Sequence, residues 1–101
     1  FLSVGAVGFV SVCGHTVGRE LKEMLNAWFA GDSARALEIH QQLLPVFTGT
    51  FRTQGAILTK AAMNLMGLPG GTTRLPLVDA TAEQIEQLRK DLSAGGVTLK
   101  K

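Results

Sequence analysis

The sequence predicts a mostly α-helical chain carrying one β-strand near its front. Three observations predict it. Residues 6–12, "AVGFVSV", are rich in β-branched and aromatic side chains and carry no charge. From Val17 onward apolar residues recur at helical spacing. Glycines and capping residues then divide the rest of the chain into three further helical segments.

The uncharged 6–12 run reads as a strand buried on both faces, the kind that parallel sheets contain. Phe1–Val4 is a lead-in or the end of another strand, and Gly14 and His15 make a short turn. Thr16 is the expected N-cap of the first helix. Val17, Leu21, Met24, Leu25, Trp28 and Phe29 form its apolar face. Arg19 and Glu23 are spaced to pair on the outer face, and Gly31 is the stop. A buried strand followed at once by an amphipathic helix is a β-α unit.

Asp32 or Ser33 caps the second helix. Leu37, His40, Leu44, Phe47 and Phe51 make one stripe, widened by Ala36, Ile39, Leu43 and Val46. A helix this broadly apolar is sandwiched between neighbours. Pro45 removes one backbone bond, so a kink or break is expected near Gln41–Leu44. A third helix covers about Gly55–Met66, with Gly67 as its stop. Ile57, Leu58, Ala61, Ala62, Leu65 and Met66 are its buried side. The loop "GLPGGTTRLPLVDA" follows, anchored by Leu75, Leu77 and Val78. Thr81 and Gln84 have capping-box spacing at the start of a fourth helix. Its face is Ile85, Leu88 and Leu92, Glu86 and Lys90 make an outer pair, and Gly95 and Gly96 end it.

Composition narrows the class. The chain has 101 residues, 46% hydrophobic and 18% charged, which is one globular domain or part of one. Net charge is +2, and the ten basic residues are scattered. No basic stripe interleaves with aromatics, so no nucleic acid partner is expected. The single cysteine, Cys13, allows no internal disulfide, which fits a reducing cytoplasm. No basic region precedes the opening apolar run, so it does not read as a signal peptide. The run ends by Cys13, short of the ~20 residues that span a bilayer, so no membrane partner is expected. Val12 before Cys13 is too large for a lipoprotein cleavage site. A chain without an initiator Met is expected to be processed or truncated, and a two-faced strand needs sheet neighbours, which would come from further sequence or from another copy.

Few residues offer chemistry. Cys13 and His15 lie where α/β folds place their sites. Their spacing matches no metal motif, and a packed thiol is the simpler reading. His40 on an apolar stripe reads as a hydrogen-bonded core or interface histidine. Lys60 reads as a snorkelling side chain rather than an imine-forming amine. Met24, Met63 and Met66 fill the core. "GAVG" at Gly5–Gly8 lacks the spacing of a phosphate loop. No metal cluster or cofactor-binding motif stands out, and no cofactor is expected. From the residues alone two classes stay open: part of an enzyme, or a helical interaction module whose opening strand is satisfied internally.

"GAVGFVSVCGHTVGREL", "GDSARALEIHQQLLPVF" and "GLPGGTTRLPLVDAT" together resemble the C-terminal third of the dihydrodipicolinate synthase family, pyruvate-dependent lyases built on a TIM barrel. The resemblance implies a fold. Residues 1–30 would be the last β-α unit of a (β/α)8 barrel, with "GFVSV" its eighth strand. Residues 31–101 would be a three-helix C-terminal domain that packs on the barrel and supports a homotetramer. It also implies condensation of pyruvate with aspartate semialdehyde through a Schiff base on a lysine of the sixth strand, towards diaminopimelate and lysine. That lysine, and the tyrosine that relays protons, would precede Phe1; the present chain has no Tyr. No catalytic residue is therefore expected here, and the isolated chain should be inactive. One role carries over. Val10 would border the pyruvate pocket through its main-chain carbonyl. The segment "QGAILTKAA" departs from the usual N-P-I-P-V-K, keeping only Ile57 and Lys60. Lyases for N-acetylneuraminate or keto-deoxy sugar acids share the architecture and remain the alternative.

Overall fold

A computed structural model describes all residues, Phe1–Lys101. It contains four α-helices and no strand. They are α1 (Gly14–Phe29), α2 (Ser33–Thr50), α3 (Gly55–Leu65) and α4 (Ala82–Ala94), preceded by a 3-10 turn at Leu2–Val4. Helix α2 is central. It packs against α1 on one side and α4 on another, while α3 packs on α4. The core is one cluster drawn from all four helices, including Val17, Leu21, Ile39, Leu43, Val46, Leu58, Ala62, Leu88 and Leu92.

Local chemistry explains each boundary. The Asp32 carboxylate accepts the Arg35 N–H at 2.9 Å and caps α2. The Gln54 side chain accepts the Ala56 N–H and starts α3. At α4 the capping box is complete. Gln84 N–H donates to Thr81 Oγ1, and Thr81 N–H donates to Gln84 Oε1. Gly67 and Gly96 adopt φ of 78° and 82° just past the ends of α3 and α4, where an L side chain would be strained. Beyond Gly96 the tail turns back, and Lys100 N–H donates to Leu65 O at 2.8 Å, fastening the end of α3.

Several expectations are corrected. Residues 6–11 are coil and Val12 begins the turn into α1, so there is no buried strand: Val7 is 88% exposed and Val10 fully so. A strand is defined by a ladder, and no segment of the chain pairs with this one. The helical-module reading required the segment to be satisfied internally, and it is not. Phe1–Val4 is a turn rather than a strand end. Thr16 does not cap α1. Helical turns begin at Gly14, and Thr16 Oγ1 donates to the Cys13 carbonyl. The helix is broken at Val17, with φ −129° and ψ 34°. The Arg19–Glu23 pair is replaced by Arg35, which bridges Glu23 on α1 to Glu38 on α2. Helix α2 runs unbroken through Pro45. One missing N–H costs one bond, and flanking Leu43 and Val46, both wholly buried, hold the helix in place.

Burial also selects between the two stripes of α2. Ala36, Ile39, Leu43 and Val46 are buried, whereas Leu37, Leu44 and Phe51 are 54%, 43% and 56% exposed. The stripe expected to lead is the outward one. On α1 only Val17 and Leu21 are buried, and Phe29 projects outward. In the loop after α3, Leu75 and Val78 are exposed rather than anchoring.

A charged clasp closes α2 on α4. Arg52 Nε and Nη2 donate to Asp91 Oδ2 and Oδ1 at 2.7 and 3.0 Å, and Gln87 Nε2 adds a bond at 3.1 Å. The Asp91 side chain is 9% exposed and that of Arg52 50%, so the guanidinium seals the carboxylate from outside. The hydrogen bond from Arg52 outweighs burial and holds the Asp91 carboxyl below the usual carboxylate range. A group lowered in this way stabilises the fold above its unfolded pKa, about 3.9. That contribution is lost as pH falls through the lower folded value. The urea midpoint should therefore drop on acidification below about pH 5. Asp91→Asn should lower the midpoint at pH 7 and flatten the acid limb. The slope that remains belongs to Asp79, held low chiefly by the Thr73 N–H.

The helices meet closely beneath this clasp. A Cβ on Gly49 would lie 2.6 Å from Asp91 Cβ and 2.8 Å from Oδ2. Gly49→Ala should therefore cost about 1–3 kcal/mol, as overpacking does. A chemical-denaturation curve with unchanged slope and a lower midpoint would register it.

Candidate functional site

The expected site begins at Val10. It sits in the coil that precedes α1, with its side chain fully exposed. Its N–H and carbonyl have no backbone partner. On one side the segment borders an open apolar cleft of about 330 Å3 that includes Phe9, Val10, Cys13, Met24, Phe47 and Phe51. On the other side Phe9 reaches a larger groove of about 650 Å3, walled by Phe1, Met24, Trp28, Leu37 and His40. Neither cavity is closed, and neither contains a carboxylate, lysine or tyrosine. The geometry can offer a backbone acceptor and an apolar wall. It offers no nucleophile.

The other candidates fall apart spatially or chemically. Cys13 is buried in the core while His15 is exposed, and no hydrogen bond joins them. His40 is not a core residue. It is exposed, tilts against the Phe47 ring at 5.8 Å between centroids, and lines the larger groove. Gly5 to Gly8 makes no phosphate cradle. Gly5 closes the first turn at φ 100°, and Gly8 follows in coil.

Lys60 does more than snorkel. Its Nζ donates to the Gly70 carbonyl at 2.9 Å. One turn later Asn64 brackets Gly71, donating to its carbonyl at 2.9 Å and accepting its N–H at 3.1 Å. A Cβ at Gly70 would come within 2.3 Å of the Lys60 carbonyl, so only glycine allows the loop this close to α3. Asp79 then accepts both the N–H and the hydroxyl of Thr73. Lys60 thus holds the loop after α3 in position. The Arg52–Asp91 clasp escaped the sequence reading because its partners are 39 residues apart. The two apolar stripes on α2 were the available signal for the larger groove, since one core cannot cover both.

Removing the ammonium should loosen the loop without unfolding the helices. Lys60→Met forfeits one charge-assisted hydrogen bond, about 1–2 kcal/mol of loop closure. Tryptic cleavage after exposed Arg74 should then accelerate by roughly tenfold at unchanged helical content.

No helix is long and apolar enough to cross a membrane. Comparison with known proteins gives a consistent result. The sequence matches the dihydrodipicolinate synthetase family over residues 1–95. It is 62% identical over 98 residues to 4-hydroxy-tetrahydrodipicolinate synthase 2 of Streptomyces coelicolor, covering 97% of this chain and 33% of that one. The structure superposes on dihydrodipicolinate synthase from Aquifex aeolicus with TM-score 0.89 and 34% identity, over 99% of this chain and 34% of that chain. It superposes equally, TM-score 0.89 and 33% identity, on a monomeric dihydrodipicolinate synthase variant, over 96% of this chain and 32% of that one. The chain spans about a third of the length of the relatives it matches. The matched structures are TIM-barrel enzymes, so the all-helical unit corresponds to part of such an enzyme. The chain belongs to the dihydrodipicolinate synthetase family.

Proposed function

We propose that this chain is the C-terminal part of a synthase that condenses pyruvate with aspartate semialdehyde, and that it has no activity alone. The observation that carries the reading is the 62% identity to a 4-hydroxy-tetrahydrodipicolinate synthase across nearly the whole chain. In the proposed reaction the ketone of pyruvate and a lysine amine form an imine and release water. The methyl carbon of the imine then loses a proton to give an enamine, which attacks the aldehyde carbon while the aldehyde oxygen takes up a proton, and the lysine amine is released afterwards. The amine belongs to the part of the enzyme outside residues 1–101. Two features support that placement. Lys60 is already engaged with the Gly70 carbonyl, and the chain has no Tyr to relay protons.

This chain's contribution would be shape and one acceptor. Val10 would present its main-chain carbonyl to the pyruvate pocket, a role that a carbonyl without a backbone partner suits. A backbone role makes the side chain replaceable by other β-branched residues. The three helices after Ala30 would form the C-terminal domain packed on the barrel, in a homo-oligomeric enzyme working in the cytoplasm.

Borohydride trapping tests the reading. With pyruvate and borohydride, the 101-residue chain alone should gain no adduct by mass spectrometry. A hybrid should be trapped at a lysine upstream of Phe1. It would join the first two thirds of the Streptomyces coelicolor relative to this chain. An adduct on Lys60 would overturn the assignment.

A further inference from the structure

A third cavity, of about 320 Å3, lies between α3, the start of α4 and the loop that joins them. It shares no lining residue with the two cavities beside Val10. Ile57, Ala61, Leu65 and Ile85 give it an apolar wall. Lys60 and Asp79 are the charged residues of the lining, one of each sign. They form no ion pair with one another. Each is held by other groups instead. Lys60 Nζ donates to the Gly70 carbonyl at 2.9 Å, and Asp79 Oδ1 accepts the N–H and the hydroxyl of Thr73 at 2.7 and 2.8 Å. Those bonds leave capacity on both sides. The ammonium has two further N–H groups, and Asp79 Oδ2 accepts from no protein group. The carboxyl is held below its ordinary range chiefly by the Thr73 N–H, then by the Thr73 hydroxyl and the Lys60 charge, so it is ionised at neutral pH.

We propose that this cavity binds a small zwitterion with an apolar side chain, an α-amino acid of the leucine type. Its carboxylate meets the free N–H groups of Lys60, its ammonium meets Asp79 Oδ2, and its side chain lies on the wall of Ile57, Ala61, Leu65 and Ile85. The site goes beyond the function proposed above and does not depend on it, since every lining residue falls between Ile57 and Ile85.

Three observations select that ligand class. The first is charge. A dicarboxylate would set its second anion against Asp79, and a diamine its second cation against Lys60. A wholly apolar ligand would strip water from both charges and give nothing back. One molecule carrying both signs answers both. The second is size and wall. The cavity is at the small end of ligand pockets, roughly 300–1,000 Å3, and half of its ten lining residues are hydrophobic. The third is preorganisation. The Gly70 carbonyl fixes the ammonium, Thr73 fixes the carboxylate, and Asn64 clamps Gly71 between them. The Gly70 backbone lies so close to α3 that a Cβ there would meet the Lys60 carbonyl at 2.3 Å, so the loop is seated before any ligand arrives. Little ordering remains to be opposed on binding. A ligand spanning Lys60 on α3 and Asp79 at the loop's far end also ties that loop down.

Amide NMR titration of the 101-residue chain with L-leucine tests this. Saturable shifts should appear at residues 57–65, 70–73 and 79–85, with a dissociation constant of about 1 mM or lower. Glycine keeps both charges without the side chain and should bind at least roughly tenfold more weakly. 4-Methylpentanoate lacks the ammonium and 3-methylbutylamine lacks the carboxylate, and each should lose about tenfold or more. Asp79→Asn keeps the Oδ1 acceptor for Thr73 and removes the charge, so it should weaken leucine about tenfold while leaving 4-methylpentanoate unaffected. Tryptic cleavage after Arg74 supplies a second readout. At ten times the dissociation constant, leucine should slow it about tenfold in the unsubstituted chain. No saturable shift with leucine up to about ten times that constant would overturn the site. Shifts centred on Trp28 and Leu37 would move binding to the larger groove and overturn it equally. Equal affinity for leucine and either single-charge analogue would overturn the zwitterion. Because the analogues are compared on the unsubstituted chain, the outcome stands even where Asp79→Asn fails to fold. Neither result bears on pyruvate trapping, so the functional reading stands or falls separately.

Discussion

Helix α2 is apolar around most of its circumference, and the remaining helices of this chain can cover only part of it. A helix of that kind has to be packed on more than one side. The side toward α1 and α4 takes Ala36, Ile39, Leu43 and Val46, and those residues carry the core. Once they are committed, Leu37, Leu44 and Phe51 must face outward, because side chains around one helix are fixed relative to one another. The exposed face of the molecule is thus a consequence of how its interior is filled.

The same constraint explains where polar interactions are placed. Helices that share an apolar core still slide unless something sets their register. Here Arg35 ties α1 to α2, and Arg52 with Asp91 ties the end of α2 to α4. Lys60 and Asn64 hold the connection between α3 and α4, and the Lys100 N–H returns to the end of α3. Exposed ion pairs contribute little, so Arg35 matters for alignment more than for stability. The Asp91 clasp differs, since its carboxylate is enclosed and removing the cation would leave that charge poorly solvated.

Much of the helical architecture was legible because it is written in local chemistry. The capping box at Thr81, the cap at Asp32 and the stops at Gly67 and Gly96 act within four residues and read directly. Whatever depends on distant partners did not. Val17 interrupts α1 for reasons no i,i+4 pattern carries, and Arg35 outcompetes Arg19 for Glu23 from another helix. The Pro45 break failed because propensity is a local rule and Leu43 and Val46 are held by tertiary packing. The strand at 6–12 is the instructive case. Its composition has the pattern of a sheet interior, yet a ladder needs a second participant, and none lies in this chain. At the candidate site, Val10 was put forward by resemblance alone, whereas the groove walled by Trp28 and Leu37 followed from a second apolar stripe whose meaning required knowing which stripe the core takes.

Those two features, an uncharged segment whose N–H groups lack backbone partners and a helix with one face uncovered, lie side by side in space through Phe9, Trp28 and Leu37. Their adjacency matters more than either alone. An isolated apolar stripe fits many partners, and an isolated extended run can pair with almost any strand edge. Held at a fixed geometry on one core, they form a single surface that is specific only for a partner matching both parts. Specificity of that kind comes from the rigid relation between the two surfaces rather than from a charge or a motif. An uncharged segment and an apolar helix face are therefore enough, held in one geometry, to make a selective surface without any ionic contact.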